Sequence, residues 1–553
     1  MTSPRKTLGR RRNFASARSS PAPTNNLHIS AKIIREISSE SSLHRATRSA
    51  AAGNRAHVAT IELFNTLSGT IEPLSPVGTP ALRMYCCGPT VYDYGHIGNF
   101  RTFLHVDVLR RVIRQQGIPV NHVMNITDVD DKIIRNAAAA GVPIAEYTAR
   151  FERAFFEDLD ALNIEHPEHF SRATGCIPEM VSLIENLAAK DIAYQTEDGS
   201  WYFRIARFPG YGKLSKKDFE GIEDGARVDV DEYEKDAARD FALWKAVKPG
   251  EQFWETPLGS GRPGWHIECS AMATKLLGDD IDLHAGGEDL MFPHHENEIA
   301  QSESASGKPF VRHWMHVRFL LVEGKKMSKS EGNFYTLRDL LLKGYRASAI
   351  RFLLISVPYR NQMNFTFDSL ADATAAVEKL RTFAGRISST SADGAMKSDA
   401  WTNRVSEADA KFSAALGDDL NTARALSPIF EFLRWANQQL DNNGNRLRPE
   451  YRDAVRELLE KFDGVFAVLE DKDAATTRAA LAWAEAEGRI NEAAPELVAT
   501  LSLSDADIDA LVAERTQAKK SRNFARADAI RNDLLAKGIL IEDSKDGVRW
   551  KRK

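Results

Sequence analysis

The sequence predicts an α/β fold built on a parallel sheet, continued by a helical bundle and closed by a small α+β unit. Three observations predict it. Residues 82–87 form an apolar run broken by Gly88-Pro89, a helical period follows through Ile97, Phe100, Leu104, Val108 and Val112, and a second apolar run fills 120–126. Strand, helix and strand in such close succession make a βαβ unit, whose crossover sets the two strands parallel and leaves ligand-binding turns at their C-terminal ends. Beyond Thr366 the pattern is continuously helical to about residue 490, with repeated Ala, Leu, Glu and Arg segments. A last unit pairs a helical stretch over 524–537 with Gly538-Ile-Leu-Ile541 and ends in Gly547-Val-Arg-Trp-Lys-Arg-Lys553.

Composition limits what the chain can be. With 553 residues, 43% apolar and 27% charged, there is material for several buried cores. No apolar run approaches the roughly 18 residues of a membrane span. Four cysteines, Cys86, Cys87, Cys176 and Cys269, are too few for a disulfide framework, so reduced thiols and a cytoplasmic setting are expected. The net charge of −4 is unevenly spread: +9 over 1–57, +6 over 511–553 and −19 between them. An acidic body with a basic C-terminal end suits a polyanion that docks locally, or else a solvated tail.

In chain order, 1–57 is rich in Ser, Ala and Arg and reads as a disordered basic leader or a targeting segment. The βαβ unit follows, with His96-Ile-Gly-Asn99 where its first turn opens the helix. Residues 141–200 read mainly as helix, and 199–217 mix aromatic with basic residues. The Gly- and Pro-dense stretch 250–264 reads as a loop leading into Trp265-His-Ile-Glu-Cys269. The apolar strand Phe319-Leu-Leu-Val322 precedes Lys326-Met-Ser-Lys-Ser330, which sits between Gly324 and Gly332. No repeat of solenoid type is present.

Cys87, Cys269, His294 and Glu298 are competent zinc ligands scattered over distant stretches, unlike a compact zinc ribbon. His294 and Glu298, four apart, would share one helix face, with Pro293 in the first turn of that helix; His295 with Glu298, three apart, is an equally acceptable pair. The competing reading makes both cysteines small core residues. Cys86 and Cys176 read as packing residues. His96 to Asn99 at a strand-to-helix turn offers backbone N–H groups and a close glycine, Gly98, to phosphate. Lys326 and Lys329 on a glycine-flanked loop could neutralise a triphosphate, and Asp289 could accept hydrogen bonds from a ribose.

Met84-Tyr-Cys-Cys-Gly-Pro-Thr-Val-Tyr-Asp93 with His96-Ile-Gly-Asn99, Asn125-Ile-Thr-Asp-Val-Asp-Asp-Lys132, Gly264-Trp-His-Ile-Glu-Cys269, Asp289-Leu-Met-Phe-Pro-His-His-Glu-Asn-Glu298 and Lys326-Met-Ser-Lys-Ser330 together resemble the cysteinyl-tRNA synthetases of class I, over roughly 60–553. The resemblance implies a Rossmann-type catalytic domain in two halves, 58–185 and 260–308, around a connective insertion at 186–259. A linking region with the Lys326–Ser330 loop at 309–372, a helical bundle at 373–490 and an anticodon-binding domain at 491–553 would follow. It implies one zinc on Cys87, Cys269, His294 and Glu298, which favours His294 over His295. It implies catalytic and ATP contacts from His96, Gly98, Asn99, Asp289, Lys326 and Lys329, and cysteine contacts from Thr90, Thr127 and Trp265. ATP with Mg²⁺, L-cysteine and tRNA(Cys) are the expected substrates of a monomer without membrane attachment.

One departure stands out. The first signature usually reads His-Ile-Gly-His, and here it ends in Asn99, which can donate to a phosphate oxygen but cannot be cationic. Activity is expected to survive. Asp418-Asp-Leu-Asn-Thr-Ala-Arg-Ala-Leu426 resembles the segment opening the family's bundle. Trp550, flanked by Arg549, Lys551 and Arg552, is either a base-stacking residue amid phosphate contacts or a Trp closing a small core. Two other functions remain: a ligase coupling cysteine to an amino sugar, which would not need the bundle or the basic end, and a non-catalytic zinc- and RNA-binding relative, which would not need Lys326-Met-Ser-Lys-Ser330.

Overall fold

A computed structural model describes residues 61–217, 227–228, 240–392, 397–501, 503, 505–544 and 547–552. The basic stretch 1–57 and Lys553 lie outside the described residues. The central sheet has five strands, β1 (Leu82–Cys86), β2 (Val120–Ile126), β3 (His169–Arg172), β4 (Ile281–Gly287) and β5 (Val311–Val317). Their spatial order is β5-β4-β1-β2-β3, with every neighbouring pair parallel. The chain moves outward from β1 through β2 to β3, then crosses back to β4 on the other side of β1. The crevice at the carboxyl ends of β1 and β4 is therefore a topological switch point, where doubly wound sheets hold their ligands.

Helix α1 (Ile97–Gln115) joins β1 to β2 as the apolar period predicts. Three strands depart from the sequence reading. β3 is four residues inside a stretch read as helix, while β4 (Ile-Asp-Leu-His-Ala-Gly-Gly) and β5 (Val-Arg-His-Trp-Met-His-Val) carry polar residues where a strand covered on both faces is expected to be aliphatic. Those histidines, His284 and His316, belong to the site described below. Helix α2 (Asp131–Ala140) follows β2. Between β3 and α3 (Trp265–Leu277) the chain adds antiparallel strands Ala193–Gln195, Trp201–Phe203, Asp240–Ala246 and Gly261–Pro263. The last of these lies in the predicted 250–264 loop. Its end is packed too closely for any side chain, since a Cβ on Gly264 would stand 2.1 Å from the Ala242 carbonyl oxygen.

Helix α4 (Glu296–Ser306) begins later than predicted. Pro293 is not in its first turn; Met291–His295 form a wider turn ahead of it, and Phe292 is extended at φ −138°, ψ 131°. A residue before proline is driven out of the helical region by the proline ring, so the helix cannot run back through Phe292.

The bundle consists of α5 (Phe367–Ser388), α6 (Asp399–Gly417), α7 (Thr422–Asn442) and α8 (Pro449–Phe466), and the helix Asp473–Ala486 follows. It packs on α1, which is buried on nearly all sides and so shows no single apolar stripe. At this seam Arg351, 1% exposed, bonds to Asp107 of α1 at 2.7 Å, to the carbonyl oxygen of Leu162 at 3.0 Å and to that of Phe466 in α8 at 2.6 Å. A buried ion pair holds only if its remaining polar groups are also satisfied, and here all three guanidinium nitrogens have partners. The C-terminal unit sets α9 (Asp505–Lys520) and α10 (Phe524–Ala536) on the hairpin β6 (Ile539–Ser544) and β7 (Gly547–Arg552), around Ile508, Val512, Ile530, Leu534 and Ile539. Among the described residues, no helix is long and apolar enough to cross a membrane.

Candidate active site

The switch point opens into a cleft of about 920 Å³. Elements from several separate stretches line it. Cys87 and Thr90 follow β1, Trp265 and Cys269 stand a turn apart at the start of α3, Asp289 and His294 follow β4, and Lys326 and Lys329 come after β5. Thr127, His96, Gly98 and Asn99 also face it. Glu298 does not; it is fully buried behind the others.

Cys87, Cys269, His294 and Glu298 converge, each offering a ligand atom within 4.8 Å of the rest. The two sulfurs are 3.9 Å apart, close to the ~3.8 Å edge of a tetrahedron with zinc–sulfur bonds near 2.3 Å. His294 Nε2 lies 3.1 Å from Glu298 Oε1, against 3.9 Å for His295 Nε2. Charge in this closed site is balanced by protons. Burial would raise Cys269, but the Cys87 hydrogen bond and the charge of His294 outweigh it and bring the thiol to about 6. Burial and the neighbouring Cys269 push Cys87 well up. His294 is held at about 10 against burial by Cys269 and Glu298, and Glu298 falls to about 2 beside His284 and His294.

These donors fit zinc. A thiolate and a carboxylate share a buried pocket with the His294 proton, and a divalent cation would replace that proton and the one on Cys87. Zinc uptake at pH 7 is accordingly expected to release about two protons, with affinity rising about a hundredfold per pH unit until His294 loses its proton near 10. Calorimetry in buffers of different ionisation enthalpy measures the number; release of none would exclude these protonation states.

A second set, Cys87, His284, His295 and Glu298, also meets the distance requirement. It leaves out Cys269, and neither of its histidines lines the cleft. These histidines instead support the first set. His284 Nε2 is 3.0 Å from Glu298 Oε2, and His295 Nδ1 is 2.8 Å from His316 Nε2, whose other nitrogen meets Thr66 Oγ1 at 2.8 Å. Gly286 makes room for this stack, since a Cβ there would stand 2.6 Å from the His295 ring. The sequence reading weighed His295 as an alternative ligand and gave His284 and His316 no part; the signal of those two, polar residues in otherwise buried strands, was present.

Around the metal group, the Trp265 ring stacks on His294 with centroids 4.3 Å apart. Thr127 donates to Glu268 Oε2 at 3.0 Å, and a bridge joins the Thr127 backbone to Thr90. On the nucleotide side, His96 caps α1: its Nδ1 accepts from Asn99 N at 3.1 Å, and Asn99 Oδ1 accepts from His96 N at 3.1 Å. That reciprocal cap orients the Asn99 amide, so its oxygen is taken and its NH₂ is the group available to a ligand. Lys329 Nζ bonds across the cleft to Asp93 Oδ2 at 2.6 Å, and the loop around it is pinned by Asn333, which accepts from Ser328 N and donates to the Lys326 carbonyl oxygen.

The chain is similar to known proteins. The family model described as tRNA synthetases class I (C) catalytic domain matches residues 73–375, and the cysteinyl-tRNA ligase anticodon binding domain matches 504–550. A DALR domain matches 411–470. Proteins named cysteine–tRNA ligase from Koribacter versatilis and Solibacter usitatus are 58% and 53% identical, each covered over 100% of its length and 89% of this chain. The chain belongs to the cysteinyl-tRNA synthetases. A Mycobacterium tuberculosis methionyl-tRNA synthetase in complex with methionyl-adenylate has the same fold, with a TM-score of 0.51 at 16% identity over 77% of this chain and 94% of that one. In this cysteinyl-tRNA synthetase, the C-terminal unit places Trp550 opposite Ile541, packed against the small core with Nε1 donating to Asp509 Oδ1 at 2.7 Å. Phe524, the first residue of α10, is by contrast 61% exposed and stands between Arg522 and Arg526 in sequence.

Proposed function

We infer that this protein activates L-cysteine with ATP to cysteinyl-adenylate and transfers the cysteinyl group to the 3′ end of tRNA(Cys). The observation that carries the reading is one cleft onto which a two-thiol metal group and a lysine loop both open. Zinc, held by Cys87, Cys269, His294 and Glu298, would bind the substrate sulfur as thiolate and so distinguish cysteine from serine, whose alcohol ionises far less readily. Trp265 packs the ring of His294 and walls the amino-acid end, while Thr90 and Thr127 offer hydroxyls there. At the other end His96, the Gly98 backbone and the Asn99 amide meet the phosphates at the α1 N-terminus, and Asp289 accepts from the ribose. Lys326 and Lys329 stabilise charge as pyrophosphate departs from ATP accompanied by Mg²⁺, and the cysteine carboxylate needs only to be positioned in line.

One chain supplies every group named, so a monomer suffices. Thiols that must stay reduced suit the cytoplasm. Anticodon contact falls on the C-terminal unit, with Phe524 as the stacking residue between Arg522 and Arg526, and Arg549, Lys551 and Arg552 as the residues that meet phosphates. Phe524→Ala should raise the KM for tRNA about tenfold with exchange unaltered, while an unchanged tRNA KM would return the stacking role to Trp550. The overall reading is tested by cysteine-dependent ATP–pyrophosphate exchange followed by charging of tRNA(Cys) in zinc-replete protein. Exchange without charging would point to another acceptor, and absence of both would refute the assignment.

A further inference from the structure

Arg135 lies on the rim of the cleft, exposed, one turn into α2 and four residues after Asp131. An acidic residue four positions ahead of a basic one on a helix ordinarily pairs with it. Here the partner is already committed. Asp131 Oδ2 accepts from Lys245 at 2.9 Å and Oδ1 accepts from Arg262, two cations that reach over from the antiparallel insertion with side chains 5% and 3% exposed. A buried cation loses far more than an exposed one by going unpaired, so the carboxylate goes to them. Arg135 is left without a hydrogen bond, ion pair or ring contact among the described residues.

The other cations on the cleft are accounted for. Lys329 holds Asp93, Arg318 faces Glu288 at 3.7 Å, and Lys132 stands 5.2 Å over the Tyr92 ring. Lys326 belongs to the nucleotide loop. That loop follows β5, whereas α2 follows β2, so Arg135 stands on the opposite side of the switch point from the lysines. An unpaired guanidinium there awaits an anion other than the triphosphate. The cysteine carboxylate must stay close to its own sulfur at the buried metal group, and Arg135 is at the exposed rim. What remains is the backbone of the acceptor whose end has to enter.

We propose that Arg135 binds a backbone phosphate near the 3′ end of the tRNA and so positions the terminal ribose for transfer. The proposal rests on the tRNA-ligase reading above. Such a contact is independent of base sequence and plays no part in activating cysteine. Arg135→Ala and Arg135→Lys are therefore to be compared with the wild type in both half-reactions. The alanine variant should keep pyrophosphate exchange, with its KM values for cysteine and ATP, within about twofold, and lose about tenfold in kcat/KM for charging. The lysine variant should recover most of that loss, and the salt dependence of charging should become shallower by about one unit of log–log slope in the alanine variant. A raised KM for cysteine or ATP in exchange would overturn the proposal by assigning Arg135 to those substrates. Unchanged charging would overturn it too. Failure of the wild type itself to charge tRNA would instead sink the ligase reading, and is distinguishable because no variant is involved.

Discussion

Cys269→Ala is expected to lose zinc and to lower cysteine-dependent pyrophosphate exchange by on the order of 10³-fold, about 4 kcal/mol of transition-state stabilisation. Cys269 is the donor brought down to about 6 in the metal-free site, so it is the sulfur already poised as thiolate at neutral pH. Without it, Cys87 is the single sulfur left, and a zinc site with three dissimilar donors no longer closes. Discrimination against serine should fail with the metal, because the rest of the cleft separates a thiol from a hydroxyl poorly. Metal analysis beside exchange with each amino acid measures both effects. Cys86→Ala is the control: Cys86 is equally buried yet stands outside the donor group. A Cys269→Ala protein that keeps stoichiometric zinc and full cysteine preference would refute the role given to this site.

Lys329→Ala should lower kcat for exchange by about 10²- to 10³-fold, the range for removing one preorganised stabilising group, with zinc content and the KM for cysteine unchanged. Lys329 is exposed and its ammonium, favoured in its charged form first by the Asp93 hydrogen bond, spans the cleft mouth. Two roles are separable here. If Lys329 acts on the departing pyrophosphate, Asp93→Asn should be much the milder change. If its work is to fasten the loop to the β1–α1 turn, the two variants should be equally damaging. Pre-steady-state adenylate formation distinguishes them.

The parts legible in the sequence were those governed by local periodicity and by donor chemistry. The βαβ unit was visible because two apolar runs flank a helical period that stops at Gly117, and the helical bundle because helix-forming segments follow one another from Thr366 to about residue 490. The donor group was legible as residue types, but spacing left His294 and His295 level; both reach Glu298 in the structure, at 3.1 and 3.9 Å, and of the two His294 lines the cleft, an outcome of the turn at Met291–His295 that no helical wheel describes. β3, only four residues long between helices, was too short to show a period, and β4 and β5 escaped notice for a physical reason. A strand whose inward residues form part of a site is polar where a packing strand would be apolar, so period and composition both mislead. Long-range pairs such as Lys329 with Asp93, or Asp131 with Lys245 and Arg262, leave no local trace at all.

The Arg351 seam bears on how the enzyme can be divided. A boundary near residue 372, where the helical pattern takes over, looks like a natural place to cut out a minimal catalytic fragment. Such a fragment would lack Phe466 and Val465, whose carbonyl oxygens accept from Arg351, and also Gly464 and Lys461, whose carbonyl oxygens accept from Arg111 and Gln115 of α1. The helix carrying His96 and Asn99 at its head would then be bare along its far half, with a charged pair opened to solvent. A fragment meant to retain the nucleotide site has to extend through α8.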